Sequence, residues 1–367
     1  MIGVALGLGP VTGAELDRAP GAVRIATFNA SLSRKGPGLL LRDILDRDTQ
    51  VLGAARIIAR VAPDIILINE FDHDAESRAL IAFQTILAEL GANYPHRYAP
   101  APNTGVPTGL DLDGDGRLGG PADAQGFGMF RGQYGMALLS RFPIDAAAAR
   151  DFSALIWADL PDAQLPMLDG ALYYGADIRA RLRLSSKGHW DVPITLPDGR
   201  RLHLLASHAT PPVFDGPEDR NGRRNADEIR FWTKYLANEM EAITGTAPGP
   251  WVAVLGDMNA DPADGDGVRS AMRALLESPI LQDPRPASVG GQRAATDGHT
   301  GDPALDTADW EDPSPGNLRV DYVLPGVAFT VTGSGVFWPA AGTPDADLLT
   351  VGKDPVSNHR LVWVDVR

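Results

Sequence analysis

Residues 251–262 read WVAVLGDMNADP. The apolar run Trp251–Gly256 predicts a buried strand, because short β-branched-rich runs of this length pack inside sheets. Asp257 and Asn259 follow it directly. Taken alone, an Asp or Asn at a strand end is a turn former. An apolar strand followed by a ligand-type side chain recurs along this chain, however. That recurrence sets both the fold class and the candidate site.

Working outward, further strands are predicted at Val23–Phe28, Asp64–Ile68, Met136–Ser140, Leu202–Ser207, Arg319–Leu324 and Leu361–Val366. Helical patterns cover Gln50–Val61, Ala75–Leu90 and Ala226–Ile243. In the last, Ile229, Trp232, Leu236, Met240 and Ile243 recur at three- and four-residue steps and form one apolar stripe, with Asn225 in the N-cap position. Strands interleaved with helices predict an α/β fold. Ligands in such folds bind beyond strand ends, where several loops converge.

The strand-associated segments are ATFNASL (26–32) with Asn29, PDIILINEFD (63–72) with Glu70, and LLASHATPP (204–212) with His208. RVDYVLP (319–325) adds Asp321, and VSNHRLVWVDV (356–366) adds Asn358 and His359. Together they form the set that hard-metal phosphoester chemistry needs. A carboxylate holds Mg²⁺ or Mn²⁺ through oxygen, and an Asn adds an oxygen ligand or donates to phosphate. A His acts as acid or base, with a neighbouring carboxylate fixing its tautomer.

The fragments ATFN, INE, SHATP, GDMNADP, DYVLP and SNHR resemble, in order, the core motifs of the endonuclease/exonuclease/phosphatase (deoxyribonuclease I-like) superfamily over residues 22–367. The resemblance implies one domain, an α/β four-layer sandwich of two packed mixed β-sheets flanked by helices. It implies a divalent-metal-dependent phosphoester hydrolase (a phosphodiesterase, nuclease or phosphatase) using in-line attack of water. Glu70 would be the principal metal ligand for Mg²⁺ or Mn²⁺, supported by Asn29, with Asn358 at a family metal position. Asp257 would orient or activate water, and Asn29 and Asn259 would contact phosphate. His359 would be general base or transition-state stabiliser, Asp321 its orienting carboxylate, and His208 the group near the leaving oxygen. The chain departs from the pattern at Asn358, where the family usually has Asp, and at Asn69, where Gln commonly precedes the Glu. The loss of charge at Asn358 leaves an alternative: a catalytically impaired, calcium-stabilised binding domain of the same fold. A Ser-His-Asp hydrolase is disfavoured, since no G-x-S-x-G elbow occurs.

The formal net charge is -14 over 367 residues. Such acidity opposes non-specific binding of polyanions and suits divalent cations. There are no cysteines, which removes disulfides, thiolate catalysis and zinc-thiolate sites. No apolar run is long enough to span a bilayer. The expected partner is a phosphoester substrate, small molecule or nucleic acid, and nothing in the sequence points to a protein partner. Residues 1–21 precede the domain, and 1–14 read MIGVALGLGPVTGA. This is either the end of a secretory signal cleaved before Glu15, giving a periplasmic or secreted protein, or an N-terminal extension that leaves a cytoplasmic site open.

Two loops complete the reading. The insertion 103–128 contains Asp111, Asp113 and Asp115 alternating before Gly116, the opening of a calcium loop. Ala122 stands where an EF-hand has Glu, so a Ca²⁺ loop of another kind is expected, with Asp123 as a further ligand. The stretch 208–230 places Arg223 and Arg224 soon after His208, as candidate grips for a substrate phosphate. The alternative for each is a salt bridge to one of the chain's many carboxylates.

Overall fold

The structure is a computed structural model and describes residues 16–367, so the candidate signal at 1–14 lies outside the described residues. Strands are numbered in chain order. One sheet contains β1 (Val23–Leu32), β2 (Ile65–Phe71), β3 (His96–Tyr98), β4 (Met136–Ser140), β12 (Val331–Val336) and β15 (Val362–Val366), ordered β12-β15-β1-β2-β4-β3. The other contains β5 (Arg150–Asp151), β8 (His189–Thr195), β9 (Arg201–His208), β10 (Val252–Asp257) and β11 (Asp321–Pro325), ordered β11-β10-β9-β8-β5. Two small hairpins, β6 (Met167–Leu168) with β7 (Ala171–Leu172) and β13 (Thr350–Val351) with β14 (Asp354–Pro355), lie outside them.

Side-chain alternation along the strands builds the layers. Ile65 and Leu67 of β2 point into the core between the sheets, while Ile66 and Ile68 point the other way. Ala253 and Leu255 of β10 likewise face the other sheet, and Val252 and Val254 face helices. The first sheet's outer face packs on α1 (Leu39–Leu45), α2 (Thr49–Val61) and α3 (Arg78–Glu89). The second packs on α5 (Arg220–Leu236) and α7 (Arg269–Leu276). The shorter α4 (Ala176–Arg179), α6 (Glu241–Thr244) and α8 (Val289–Arg293) lie in connections. The result is the four-layer α/β sandwich that the motifs imply.

Strand direction assembles the site. β1 and β2 are parallel, as are β9 and β10, so Asn29, Glu70, His208 and Asp257 all sit at downstream ends. β15 runs antiparallel to β1 and β11 antiparallel to β10, which returns their upstream ends to the same edge. Asp321 is thus the partner of Asp257 in register, and it opens its strand instead of following one.

Two helix boundaries differ from the sequence reading. The helix expected at Ala75–Leu90 begins at Arg78, after a turn in which Glu76 and Ser77 have positive φ. The helix expected at Ala226–Ile243 runs Arg220–Leu236. Asn225 is therefore not its N-cap. It lies inside the helix, fully buried, and donates from Nδ2 to the carbonyls of Thr210 and Met258, each at 2.8 Å.

Candidate active site

One carboxylate oxygen organises the strand ends. Oδ2 of Asp257 lies 3.0 Å from Asn29 Nδ2, 3.4 Å from His208 Nε2 and 3.8 Å from His359 Nε2. Its other oxygen accepts the Asn259 backbone N–H at 2.9 Å. His359 donates from Nδ1 to Asp321 Oδ2 at 2.8 Å, and Thr307 Oγ1 donates to the same oxygen at 2.9 Å. Ser357 Oγ donates to the Asn29 carbonyl at 2.7 Å and lies 3.0 Å from the His359 amide nitrogen, tying β1 to the segment before β15. Trp310 packs edge-on against the His359 ring. Donor atoms of Asp257, Asp321 and His359 all fall within 4.8 Å of one another.

Glu70 adopts a positive φ of 57° at the end of β2, a conformation a non-glycine residue holds only when its surroundings impose it. It is partly buried, and its Oε2 accepts from Ser33 Oγ at a long 3.5 Å. Burial pushes the Glu70 carboxyl up, opposed by His359 and reinforced by Asp257. Asn259, also at positive φ, donates from Nδ2 to the Ala209 carbonyl at 3.0 Å.

The electrostatics divide the two histidines. Burial alone would lower His359, but Asp321 and Asp257 outweigh it and lift the imidazolium to about 9. His208 is driven well below its ordinary value by burial, with Lys187 and His359 adding repulsion. Burial raises Asp257 to about 6 against the pull of His359, with Asp321 adding to the rise. At neutral pH one ring is charged and the other neutral, a separation of roles that active sites use.

Several sequence-predicted residues fall elsewhere. Arg224 is buried, and its guanidinium donates from Nε to the Leu184 carbonyl and from one terminal nitrogen to the carbonyls of Gln125, Arg183 and Ser185. These bonds give the side chain a structural task in holding the insertion over its helix. Arg223 Nε instead lies 3.9 Å from Asp219 Oδ2, one turn back on its helix. Asn358 is exposed on the wall of an open polar depression of about 430 Å³, beside Ser31, Arg34 and Ser357. In the insertion, Asp111, Asp113 and Asp115 bring carboxylate oxygens within 4.8 Å of one another. Asp123 does not join them: it is buried and accepts the backbone N–H groups of Leu112 and Gly120.

The sequence reading also missed a residue. Lys187, just before antiparallel β8, is buried, and its charge acts on both Glu70 and His208. A search restricted to residues following apolar strands passes over it.

Two mixed sheets with a carboxylate–imidazole cluster along one shared edge define a class of α/β sandwich. Residues 26–359 match the model of the Endonuclease/Exonuclease/phosphatase family, and the chain belongs to that family. Among solved structures it resembles the endonuclease/exonuclease/phosphatase from Beutenbergia cavernae, with 17% identity, 96% of this chain and 72% of that chain covered, and a TM-score of 0.55. A family protein from Bacteroides thetaiotaomicron shares 13% identity over 95% of this chain and 98% of that one, with a TM-score of 0.50. At such identities the likeness carries the fold alone. No curated protein matches the sequence significantly. Among the described residues no helix is long and apolar enough to cross a membrane.

Proposed function

We propose that the chain is a divalent-metal-dependent hydrolase of phosphoester bonds. The observation that carries this reading is the convergence of Asn29, His208 and His359 on Asp257 Oδ2, with Asp321 behind His359. Asp257, raised toward neutrality, suits the group that orients a water and takes its proton. His359, held as an imidazolium by two carboxylates, donates to a phosphoryl oxygen as charge builds in the pentavalent state. His208, kept neutral, faces the leaving oxygen. Asn29 holds Asp257 in place, and Asn259 positions the loop through its backbone and side-chain bonds.

The residues fit a hard cation. The long Ser33 contact leaves the Glu70 carboxylate's ligand capacity largely unspent, and Asn29 Oδ1 accepts only a 3.2 Å bond from the Ser31 amide among the described residues. Glu70 with Asn29 would hold Mg²⁺ or Mn²⁺, which when bound supplies Lewis-acid stabilisation of phosphoryl charge. Hydrolysis of bis-p-nitrophenyl phosphate and p-nitrophenyl phosphate with each cation tests the reading. Turnover abolished by Glu70→Ala is expected. No turnover of phosphodiesters, phosphomonoesters or nucleic acid with any divalent cation refutes it.

A further inference from the structure

Lys187 stands just before β8, and its side chain is buried. Its Nζ donates to the Ala209 carbonyl at 3.1 Å, the same oxygen that receives Asn259 Nδ2 at 3.0 Å. The ammonium therefore sits beside Asn259, one residue past His208. No carboxylate among the described residues reaches ion-pair distance of it. An ammonium has three N–H donors, and the other two find no protein acceptor among the described residues.

Burial pushes the Lys187 ammonium down, opposed by Glu228, Asp257 and Glu70 in that order. Glu228 is committed elsewhere: Oε1 accepts Ser186 N–H at 2.6 Å and Ser186 Oγ at 2.8 Å, and Oε2 accepts Thr210 N–H at 2.6 Å. Asp257 and Glu70 belong to the candidate site and are felt across it. A buried cation without a contact partner is expensive, and a role limited to the Ala209 carbonyl is one that a neutral amide fills at lower cost. The expense is offset when an anion accepts from the free N–H donors.

We propose that Lys187 is a substrate-binding residue that grips a non-bridging oxygen of a tetrahedral phosphoryl group, beside Asn259 and across the site from Glu70. This rests on the phosphoester reading above and extends it to a residue outside the strand-end motifs. The ligand class is a tetrahedral oxyanion, and inorganic phosphate is the simplest member.

Two measurements on the full chain test it. In steady-state hydrolysis of bis-p-nitrophenyl phosphate, Lys187→Met and Lys187→Gln should each lose about a hundredfold in kcat/KM, the usual scale for removing one donor to a developing oxyanion. Lys187→Gln keeps a donor for the Ala209 carbonyl and discards only the charge, so it decides the matter should Lys187→Met fail to fold. In calorimetry with chelator present, wild type should bind inorganic phosphate and both variants should bind it about tenfold or more weakly. The binding measurement reads Lys187 even if wild type hydrolyses nothing, which separates failure of this proposal from failure of the phosphoester reading. Lys187→Gln with wild-type turnover and wild-type phosphate affinity overturns the proposal, leaving the lysine a clamp on Ala209. Absence of phosphate binding by wild type overturns it as well.

Discussion

Replacing Asp321 by Asn removes the charge behind His359 while keeping the shape of the side chain. Lifting the ring from 6.5 to about 9 corresponds to about 3 kcal/mol of preference for its charged form, and Asp321 is the largest favourable contributor. Without it, burial is opposed by Asp257 and Glu70, and the ring falls back toward its ordinary value. At pH 8 the charged fraction should drop from about nine-tenths to a few per cent. If the imidazolium stabilises the transition state, kcat/KM at pH 8 falls by about thirtyfold or more, and the gap between the two proteins narrows toward pH 6, where protonation of Asp257 slows both alike. The stability sign follows the same logic. A ring raised in the folded state contributes stability that is full below pH 6.5 and is lost as pH rises through about 9. The assay is a pH profile of phosphodiester hydrolysis for both proteins, paired with NMR titration of the His359 ring. An unmoved alkaline limb, or a variant faster than wild type at pH 8, refutes the charged-ring role and assigns His359 the neutral, proton-accepting one.

Asp306 is buried and pushed up to about 7 by that burial and by Asp261, Asp264 and Asp302. Its stability contribution is full below about pH 4 and is lost as pH rises through about 7. Asp306→Asn should therefore stabilise the fold by about 1–2 kcal/mol at pH 8, after allowance for solvent screening, and by less than half as much at pH 5. Equal melting-temperature changes at the two pH values contradict this. Arg224→Met strands four backbone carbonyls and should cost about 3 kcal/mol in denaturant unfolding with KM little changed. A selective rise in KM would return Arg224 to the substrate. Asn358→Asp adds a carboxylate on this rim and should tighten Mn²⁺ binding about three- to tenfold by calorimetry. Unchanged affinity places that position outside the cation's reach. Calcium titrated into the full chain should release heat that Asp113→Asn abolishes, and silence at millimolar calcium removes the calcium reading of the acidic loop.

The sequence was most legible where burial forces apolar runs. Trp251–Gly256 and its counterparts all became strands, within a few residues of their predicted ends. The site residues at downstream ends of parallel strands were legible for the same reason, since the apolar run marks where each must emerge. β8 was missed because Asp191 and Pro193 interrupt its pattern, although both are accommodated beside β9. With β8 unseen, no register linked Lys187 to His208, and spacing alone cannot place them together. The fate of the arginines was equally hidden. Whether a guanidinium meets phosphate or carbonyl oxygen depends on how the insertion folds over α5, and that is a tertiary fact.

The buried amide of Asn225 has a mechanical consequence. Its two bonds fasten the backbone just past His208 and the backbone just past Asp257 to the interior of one helix. Neither loop is able to swing without breaking a desolvated bond, so the two shift together with α5 or stay where they are. The spacing between the His208 end and the Asp257 end is therefore held by a single side chain, and the Asn225→Ala variant should loosen both ends at once.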